Sequence, residues 1–172
     1  MNDQSVLIRR ERPSDADTIR ALQRAAFAPS EHDHGRLVDE LRADGDAVAA
    51  LSLVAEVDGV VVGHVVCSYG QVDGRRCLGL GPIGVLPEHQ GHGVGSALMD
   101  AVIAAADGLG EPAIVLLGHA SYYPRFGFEP AADHGITPPE EWGRDVFMVR
   151  RLSAWDGRLR GTFRFAPAFD RV

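Results

Sequence analysis

Residues 78–99, LGLGPIGVLPEHQGHGVGSALM, contain two glycine-rich signatures in direct succession. Residues 79–84 satisfy the G-x-G-x-x-G pattern of dinucleotide-binding turns. Residues 90–95, QGHGVG, are typical of a different phosphate-binding loop at the start of a different helix. The choice between these two loops decides the fold and the function that the sequence predicts.

The first signature lacks the context that a dinucleotide-binding turn requires. Such a turn needs an apolar strand that ends at the first glycine and a helix that begins at the third. Residues 74–77, GRRC, do not resemble a buried strand, and Pro87 removes a backbone donor where a helix should begin. We therefore interpret residues 78–86 as a strand whose glycines indicate a β-bulge.

The second signature fits its surroundings. It follows an apolar strand that ends at residues 85–86, and apolar residues then recur with helical spacing from Val94 to about residue 108. Amides near a helix N-terminus lack intrahelical partners and carry partial positive charge. Because Gly91, Gly93 and Gly95 lack side chains, a diphosphate can approach this backbone without any Lys, a residue that the chain does not contain.

The remaining pattern predicts a mixed α/β fold with the order β-α-α-β-β-β-α-β-α-β-β. Ser14 is the predicted N-cap of the first helix, and residues 37–41 indicate a second. Asp58-Gly59 predicts a type I′ hairpin. A brief helix or turn is expected at residues 121–125, and a loop at residues 131–144. The predicted strands are residues 6–8, 51–57, 60–69, 78–86, 113–117, 147–149 and 162–165.

The composition is that of an ordinary globular protein and limits the possible partners. Hydrophobic residues make up 45% of the 172 residues, so we expect one domain over residues 1–172. The net charge of -7, with Arg as the sole basic residue type besides His, argues against a nucleic-acid partner. The sequence has no apolar run near the roughly 20 residues of a membrane span and no signal-peptide pattern at its N-terminus. We expect a cytoplasmic monomer or homodimer with no membrane partner.

Two sequence blocks resemble the GNAT N-acetyltransferase superfamily. Residues 90–95 match the acetyl-CoA signature Gln/Arg-x-x-Gly-x-Gly/Ala, and residues 83–90, IGVLPEHQ, are similar to the cofactor strand and turn that precede it. Residues 122–128, YYPRFGF, resemble the family's aromatic-Tyr-x-x-x-Gly-Phe segment. The resemblance covers most of residues 5–165. It implies an α/β (α+β) fold with a mostly antiparallel mixed sheet and helices on both faces.

The same resemblance implies direct transfer of the acetyl group of acetyl-CoA to a primary amine of a small molecule or peptide. The Val85 N–H is the expected oxyanion donor. Tyr123 matches the tyrosine that protonates the departing CoA thiolate, and Tyr122 is the more natural packing residue. Cofactor contacts are expected from Ile83, Gly84, Val85, Gln90, Gly91, His92 (through its backbone), Gly93, Val94, Gly95 and Ser96.

The general base stays open at this stage. The candidates are His119, His64, Glu56, Glu31, His32 and His34. Within a central apolar strand, His64 is more typical of a hydrogen-bonded core histidine, and Glu56 is expected to be exposed. Residues 31–34, EHDH, contain metal-ligand types, but adjacent residues rarely converge on one ion without a distant third ligand, so we expect no metal.

Two other functional classes remain open. A catalytically quiet acyl-CoA-binding sensor or partner module would keep the loop at residues 90–95 without needing Tyr123. A nucleotide-dependent oxidoreductase would depend on residues 79–84. A comparison of CoA binding with NAD binding separates the oxidoreductase from the other two.

Overall fold

A computed structural model describes residues 4–172 of the chain as a sheet with helices on both faces. The α-helices are α1 (Ala16–Ala26), α2 (His34–Ala43) and α3 (Val94–Gly108). The strands are β1 (Val6–Arg10), β2 (Ala47–Val57), β3 (Val60–Val72), β4 (Arg75–Val85), β5 (Ala113–Leu117), β6 (Glu129–Pro130), β7 (Ile136–Thr137), β8 (Phe147–Arg151) and β9 (Gly161–Arg164). Among the described residues, no helix has the length and apolar character needed to cross a bilayer.

The sheet runs in the order β1-β2-β3-β4-β5-β8-β6, with β9 paired to β3 and β7 to β9. Its neighbours are antiparallel except for the pairs β4–β5 and β7–β9. Helix α3 buries Leu98 and Val102 on one face. Helices α1 and α2 bury Ile19 and Leu41 against Val54 on the other face. The predicted mostly antiparallel sheet with helices on both faces is confirmed.

Two Asp-Gly turns form the central hairpins. Asp58 and Gly59 both have positive φ, at 51° and 77°, which confirms the predicted type I′ turn. Asp73-Gly74 adopts the same conformation, with φ of 45° and 83°, and connects β3 to β4. The interpretation of residues 74–77 as outside a strand was therefore wrong. Strand β4 begins at Arg75, and its Cys77 is completely buried.

The first glycine signature, residues 79–84, lies entirely inside β4. Val65 pairs with Ile83, whereas Cys67 pairs with Leu80, so two residues of β4 oppose Val66. This is the bulge that the glycines indicated. A strand interior offers neither the tight turn nor the helix start that a dinucleotide requires. Residues 79–84 therefore lack the conformation of a dinucleotide-binding turn, although residues 75–77 do belong to the strand that precedes them.

Two local predictions need correction. Ser14 does not cap α1; it is exposed in a 3₁₀ turn, Pro13–Asp15, that precedes the helix. The Asp15 carboxylate instead accepts the Arg12 N–H at 2.6 Å and pairs with Arg9 at 2.7 Å. The hydrogen bond from Arg9 lowers the pKa of Asp15 to about 2. The predicted loop at residues 131–144 contains the short strand β7, whereas the brief helix or turn predicted at residues 121–125 is confirmed as a 3₁₀ turn, Tyr123–Phe126.

Candidate functional site

Strands β4 and β5 separate and leave one edge of β4 open. Leu78 pairs with Ile114 and Gly79 pairs with Val115, and the two strands share no further register beyond these positions. Strand β4 nevertheless continues to Val85 along β3. The C-terminal half of β4 therefore presents main-chain groups that β5 does not use.

The pairing with β3 determines which amides of β4 point toward this open edge. The Leu86 N–H donates to the Val62 carbonyl at 2.9 Å, so these two residues form a hydrogen-bonded pair. Hydrogen-bonded and non-hydrogen-bonded pairs alternate in an antiparallel ladder. Gly84 therefore bonds toward β3, whereas the N–H groups of Ile83 and Val85 point toward the opening. This orientation supports the expected contact of an extended ligand with β4.

Gly84 also has a packing role that the sequence alone did not indicate. A Cβ at this position would lie 2.4 Å from Gln23 Oε1 and 3.0 Å from the Ala26 Cβ. The absence of a side chain thus allows α1 to lie directly on β4.

The second glycine signature forms an uncapped start to α3. Gly93, with φ of 85°, precedes the helix in a left-handed conformation, and no side chain caps the first turn. The first intrahelical bond runs from the Ala97 N–H to the Gly93 carbonyl at 3.0 Å. The first turn contains no acidic residue. The amides of residues 94–96 consequently keep their capacity to bind an anion.

Side chains of the loop contact main-chain carbonyls of the loop and of β4. The Gln90 Nε2 donates to the Val85 carbonyl at 3.0 Å, and the His92 Nδ1 contacts the Gln90 carbonyl at 2.8 Å. Val94 is buried in the core beneath the loop. These three residues can therefore offer a ligand their backbone more readily than their side chains, as expected for His92.

A cavity of about 380 Å³ lies in front of the helix start. Val85, Gly95, Ser96 and Tyr122 are among the residues that line it. The Tyr122 hydroxyl lies 3.3 Å from the position that a Cβ on Gly95 would occupy. The predicted packing of Tyr122 is confirmed, since its ring contacts Phe126 at 5.2 Å between centroids. Its hydroxyl at the loop was not predicted.

Tyr123 lies at the separated strands instead. Its ring packs against Gly118, where a Cβ would lie 2.3 Å from Cε2, and against Phe128 at 5.9 Å between centroids. Gly118 directly follows β5, the strand whose pairing with β4 ends at Gly79 and Val115. Burial raises the pKa of Tyr123 to about 12. The phenol therefore stays protonated at neutral pH.

His64 belongs to a buried hydrogen-bond network, as predicted for a core histidine. Its Nδ1 lies 2.8 Å from Gln23 Nε2, and its Nε2 lies 2.9 Å from Ser52 Oγ. Glu11, held by Arg42 at 2.6 Å, is 3.8 Å from the same Nε2. Burial lowers the pKa of His64 to about 4. The side chain is completely buried and neutral at pH 7, so it has no access to an incoming amine.

We expect this network to make the free energy of unfolding depend on pH. The folded pKa of His64, about 4, lies below the unfolded value near 6.5, so the unfolded state takes up a proton first as pH falls. Stability is therefore full above pH 6.5 and declines toward pH 4. Urea unfolding should show a loss of roughly 2 kcal/mol between pH 7 and pH 5.

The His64→Gln variant identifies the source of this slope. Burial also lowers the pKa of His34, so His34 contributes to the pH dependence of stability in the same direction. The His34→Gln variant therefore provides the matched comparison. We expect His64→Gln to remove most of the decline and His34→Gln to remove a smaller part. A wild-type protein equally stable at pH 5 and pH 7 would contradict the prediction.

The other base candidates lie at several separate places. Glu56 is half-buried and pairs with Arg9 at 2.7 Å, so the expectation that it is exposed was wrong. His119 is exposed, and its carbonyl accepts the Tyr122 N–H at 3.1 Å. His34 stacks on Phe27 with 3.8 Å between ring centroids. Glu31 and His32 are exposed in the segment between α1 and α2.

The acidic and histidine-rich segment at residues 31–34 is occupied by structural contacts. The Asp33 carboxylate caps α2 through the Arg36 N–H at 2.9 Å and pairs with Arg24 at 2.8 Å. His32 Nδ1 contacts the Val172 carbonyl at 3.1 Å. Across the part of the chain that the structure describes, no three His, Cys, Asp or Glu side chains are grouped as a metal ion would require.

Comparisons with known proteins agree with this geometry. Residues 16–128 match the model of the acetyltransferase (GNAT) family. The chain is 38% identical over 161 residues to the uncharacterized N-acetyltransferase YjhQ of Escherichia coli K12, an alignment that covers 89% of this chain and 88% of YjhQ. It is 36% identical over 159 residues to the uncharacterized N-acetyltransferase YhbS of the same strain, covering 91% and 92% of the two chains.

Two solved structures have the same fold over nearly their whole length. The crystal structure of YhbS from Escherichia coli in complex with CoA superposes with a TM-score of 0.89 at 33% identity, covering 99% of this chain and 95% of that one. A GNAT family acetyltransferase from Brucella melitensis in complex with acetyl-CoA superposes with a TM-score of 0.81 at 36% identity, covering 97% and 99%.

Proposed function

This chain belongs to the acetyltransferase (GNAT) family, and we propose that it acts as one domain that transfers the acetyl group of acetyl-CoA directly to a primary amine of a small molecule or peptide. One observation carries the proposal. The uncapped N-terminus of α3 opens onto a cleft that Val85 lines, and the N–H groups of Val85 and Ile83 are directed to the adjoining open edge of β4. Together they suit a ligand that has a diphosphate at one end and an extended amide-containing arm at the other.

The residues of the cleft fit acetyl-CoA. Gly91 and Gly93 have no atom within 4 Å of the position that a Cβ would occupy, so the loop backbone is open to a diphosphate. The amides of residues 94–96 would bind it, with Ser96 beside them. Ile83 and Val85 would bind the pantetheine arm as an added strand, because their N–H groups are directed to the open edge of β4. The bound CoA and acetyl-CoA of the two structural neighbours support this assignment.

The reaction needs no covalent enzyme intermediate. The free amine forms a C–N bond to the acetyl carbon while the C–S bond breaks, and the amine nitrogen loses one proton while the sulfur gains one. We assign the proton donor at sulfur to Tyr123, which stays neutral and rests on Gly118 beside the separated strands. Tyr122 lies at the helix start instead, where the diphosphate would bind.

Negative charge that develops on the acetyl oxygen requires a fixed donor. We assign this role to the Val85 N–H, with the Ile83 N–H as the second free amide on the same edge. The Gln90 side chain holds the Val85 carbonyl at 3.0 Å and so fixes the orientation of this part of the strand. Removal of a preorganised oxyanion donor typically costs about 10² to 10³ in rate.

A parallel thermal-shift titration with acetyl-CoA, CoA, NAD and ATP tests the proposal. A ligand at about 100 times its dissociation constant adds roughly 2.7 kcal/mol to the free energy of unfolding. We expect acetyl-CoA and CoA to raise the melting temperature and NAD and ATP to leave it unchanged. A folded protein with no CoA response would overturn the proposal. CoA binding without thiol release across a panel of amines would favour a quiet acyl-CoA-binding module.

A further inference from the structure

The face of the sheet opposite α3 carries apolar side chains at the point where β4 and β5 separate. The last pair between these strands is Gly79 with Val115. Leu117 lies two residues further along β5, and it is 46% exposed although the preceding residues of the strand are buried. Side chains alternate between the two faces of a strand, so Leu117 shares the face of Val115 and not that of Leu116, which belongs to the core beneath α3. A large apolar side chain is therefore exposed on the face that α3 does not cover.

Aromatic rings border the β4 side of the same separation. Phe165 lies on Gly79, where its Cδ1 is 2.9 Å from the position that a Cβ would occupy. Phe169 lies over Gly81 in the same way, with its Cε1 at 3.9 Å, and the two rings pack at 4.7 Å between centroids. Gly81, like Leu117, is two residues beyond the last pair between β4 and β5. The glycines thus allow aromatic side chains to lie directly on the strand beside the separation.

Trp142 links the two sides of the separation. Its ring centroid is 5.6 Å from that of Phe147 and 6.2 Å from that of Phe165. Phe147 pairs with Leu117 across β5 and β8, so their side chains point to the same face. We call Leu117, Trp142, Phe165 and Phe169 the apolar wall, and each of these side chains is at least partly exposed. Such a linked set of exposed large apolar side chains is typical of a binding surface.

The C-terminal segment that carries Phe169 is held on α2. The Arg171 Nε donates to the Glu40 carboxylate at 2.6 Å, and a second guanidinium nitrogen donates to Asp44 at 2.5 Å. Ala168, which precedes Phe169, is completely buried in the core between the sheet and α2. The Phe169 ring is therefore in place before a ligand arrives, and this lowers the entropy that binding costs.

We propose that the apolar wall binds the substituent of the acceptor, so that the substrate is a primary amine with an alkyl or aryl group. The inference rests on the proposed function, which places acetyl-CoA on the α3 side of β4, in the cleft lined by Val85 and Gly95. An amine must reach the acetyl carbon at the open edge of β4 without displacing the cofactor. The opposite face of the sheet provides that approach, with the nitrogen at the edge and the substituent on the wall.

A diamine is the competing substrate class. Glu140, Glu141 and Asp170 are exposed and adjoin Trp142 and Phe169 in sequence, so their carboxylates are available to a second ammonium group. The wall itself is apolar, and an ammonium group that leaves water there without a partner is unfavourable. The wall therefore favours an amine with one charge over a diamine of the same length.

Thiol release with a series of amines tests the substrate class. Ethylamine, propylamine, butylamine and pentylamine each carry one ammonium group of similar basicity and differ in apolar length. We expect kcat/KM to rise about threefold with each added methylene group, because each group is buried against the wall. Pentylamine and 1,4-diaminobutane have the same number of non-hydrogen atoms. We expect pentylamine to be favoured about tenfold or more over this diamine.

Variants of the wall test its role in this preference. Leu117→Thr removes apolar area and keeps a residue type that favours strands, so the fold should be preserved. We expect it to lower the ratio of kcat/KM for pentylamine to that for ethylamine about fivefold. Leu7→Thr is the matched control, because Leu7 is a leucine of β1 with a comparable exposure of 55%, and it should keep the wild-type ratio. Phe169→Ala, on the other side of the separation, should lower the ratio as Leu117→Thr does, and melting curves verify both folds.

The failure of this inference and the failure of the proposed function give different results. A wild type with no rise in kcat/KM along the series, or with a preference for 1,4-diaminobutane, would overturn the inference and leave the proposed function in place. An unchanged ratio in both Leu117→Thr and Phe169→Ala would also overturn it. Calorimetric titration of the CoA-saturated protein with pentylamine detects the site without chemistry. Binding that Leu117→Thr weakens, without thiol release from any amine, would overturn the proposed function and support the apolar site, whereas the absence of both would overturn both.

Discussion

Replacement of Tyr123 by phenylalanine should lower the turnover number about 100-fold or more while leaving the affinity for CoA within twofold. The substitution removes one hydroxyl and keeps the ring that packs on Gly118 and Phe128, so the fold should be preserved. General acid catalysis by a positioned side chain typically contributes 10² to 10⁴ in rate. Steady-state thiol release measures turnover, and calorimetry measures affinity for CoA.

Tyr122→Phe provides the matched control for this variant. Both substitutions remove a phenolic hydroxyl, and the two rings touch at 5.0 Å between centroids. The Tyr122 hydroxyl lies at the helix start, so we expect its loss to weaken CoA binding and to change turnover little. A large loss of turnover in Tyr122→Phe, together with unchanged turnover in Tyr123→Phe, would reverse the assigned roles.

The pH profile of turnover gives a second readout for Tyr123. Burial raises its pKa to about 12, and the protonated form is the proposed proton donor. Activity that depends on this proton persists below the pKa and is lost only as pH rises through it. We expect no decline due to tyrosine ionisation up to about pH 10, the pKa of an unperturbed phenol.

Local signals in the sequence were sufficient for the elements that carry the site. The apolar spacing of residues 94–108 gave α3 with its observed bounds, and Asp58-Gly59 gave the hairpin between β2 and β3. Both depend on interactions between residues a few positions apart. Asp73-Gly74 forms a hairpin by the same Asp-Gly rule. This hairpin was not predicted, because two charged residues, Arg75 and Arg76, begin the following strand.

Features that depend on contacts distant in sequence could not be predicted. The network around His64 joins residues from α1, α2 and β2 with Glu11, which follows β1, and no periodic pattern relates them. The position of Tyr122 against Gly95 depends on how a 3₁₀ turn directs two adjacent rings. Sequence motifs thus predicted a cofactor loop but not the side chains that face it.

Substitution of Gly95 by valine should abolish measurable CoA binding, with at least a 100-fold loss, about 2.7 kcal/mol. Its Cβ would lie 3.3 Å from the Tyr122 hydroxyl and 3.9 Å from Val85 Cγ2, so the branched side chain fills the cleft where the diphosphate would bind. Unlike Gly93, Gly95 has no left-handed backbone, and valine is a better helix former than glycine. Stability should therefore be retained.

Gly108→Val, at the open end of the same helix, is the matched control and should bind CoA normally. Unchanged affinity in Gly95→Val would exclude this cleft as the diphosphate site.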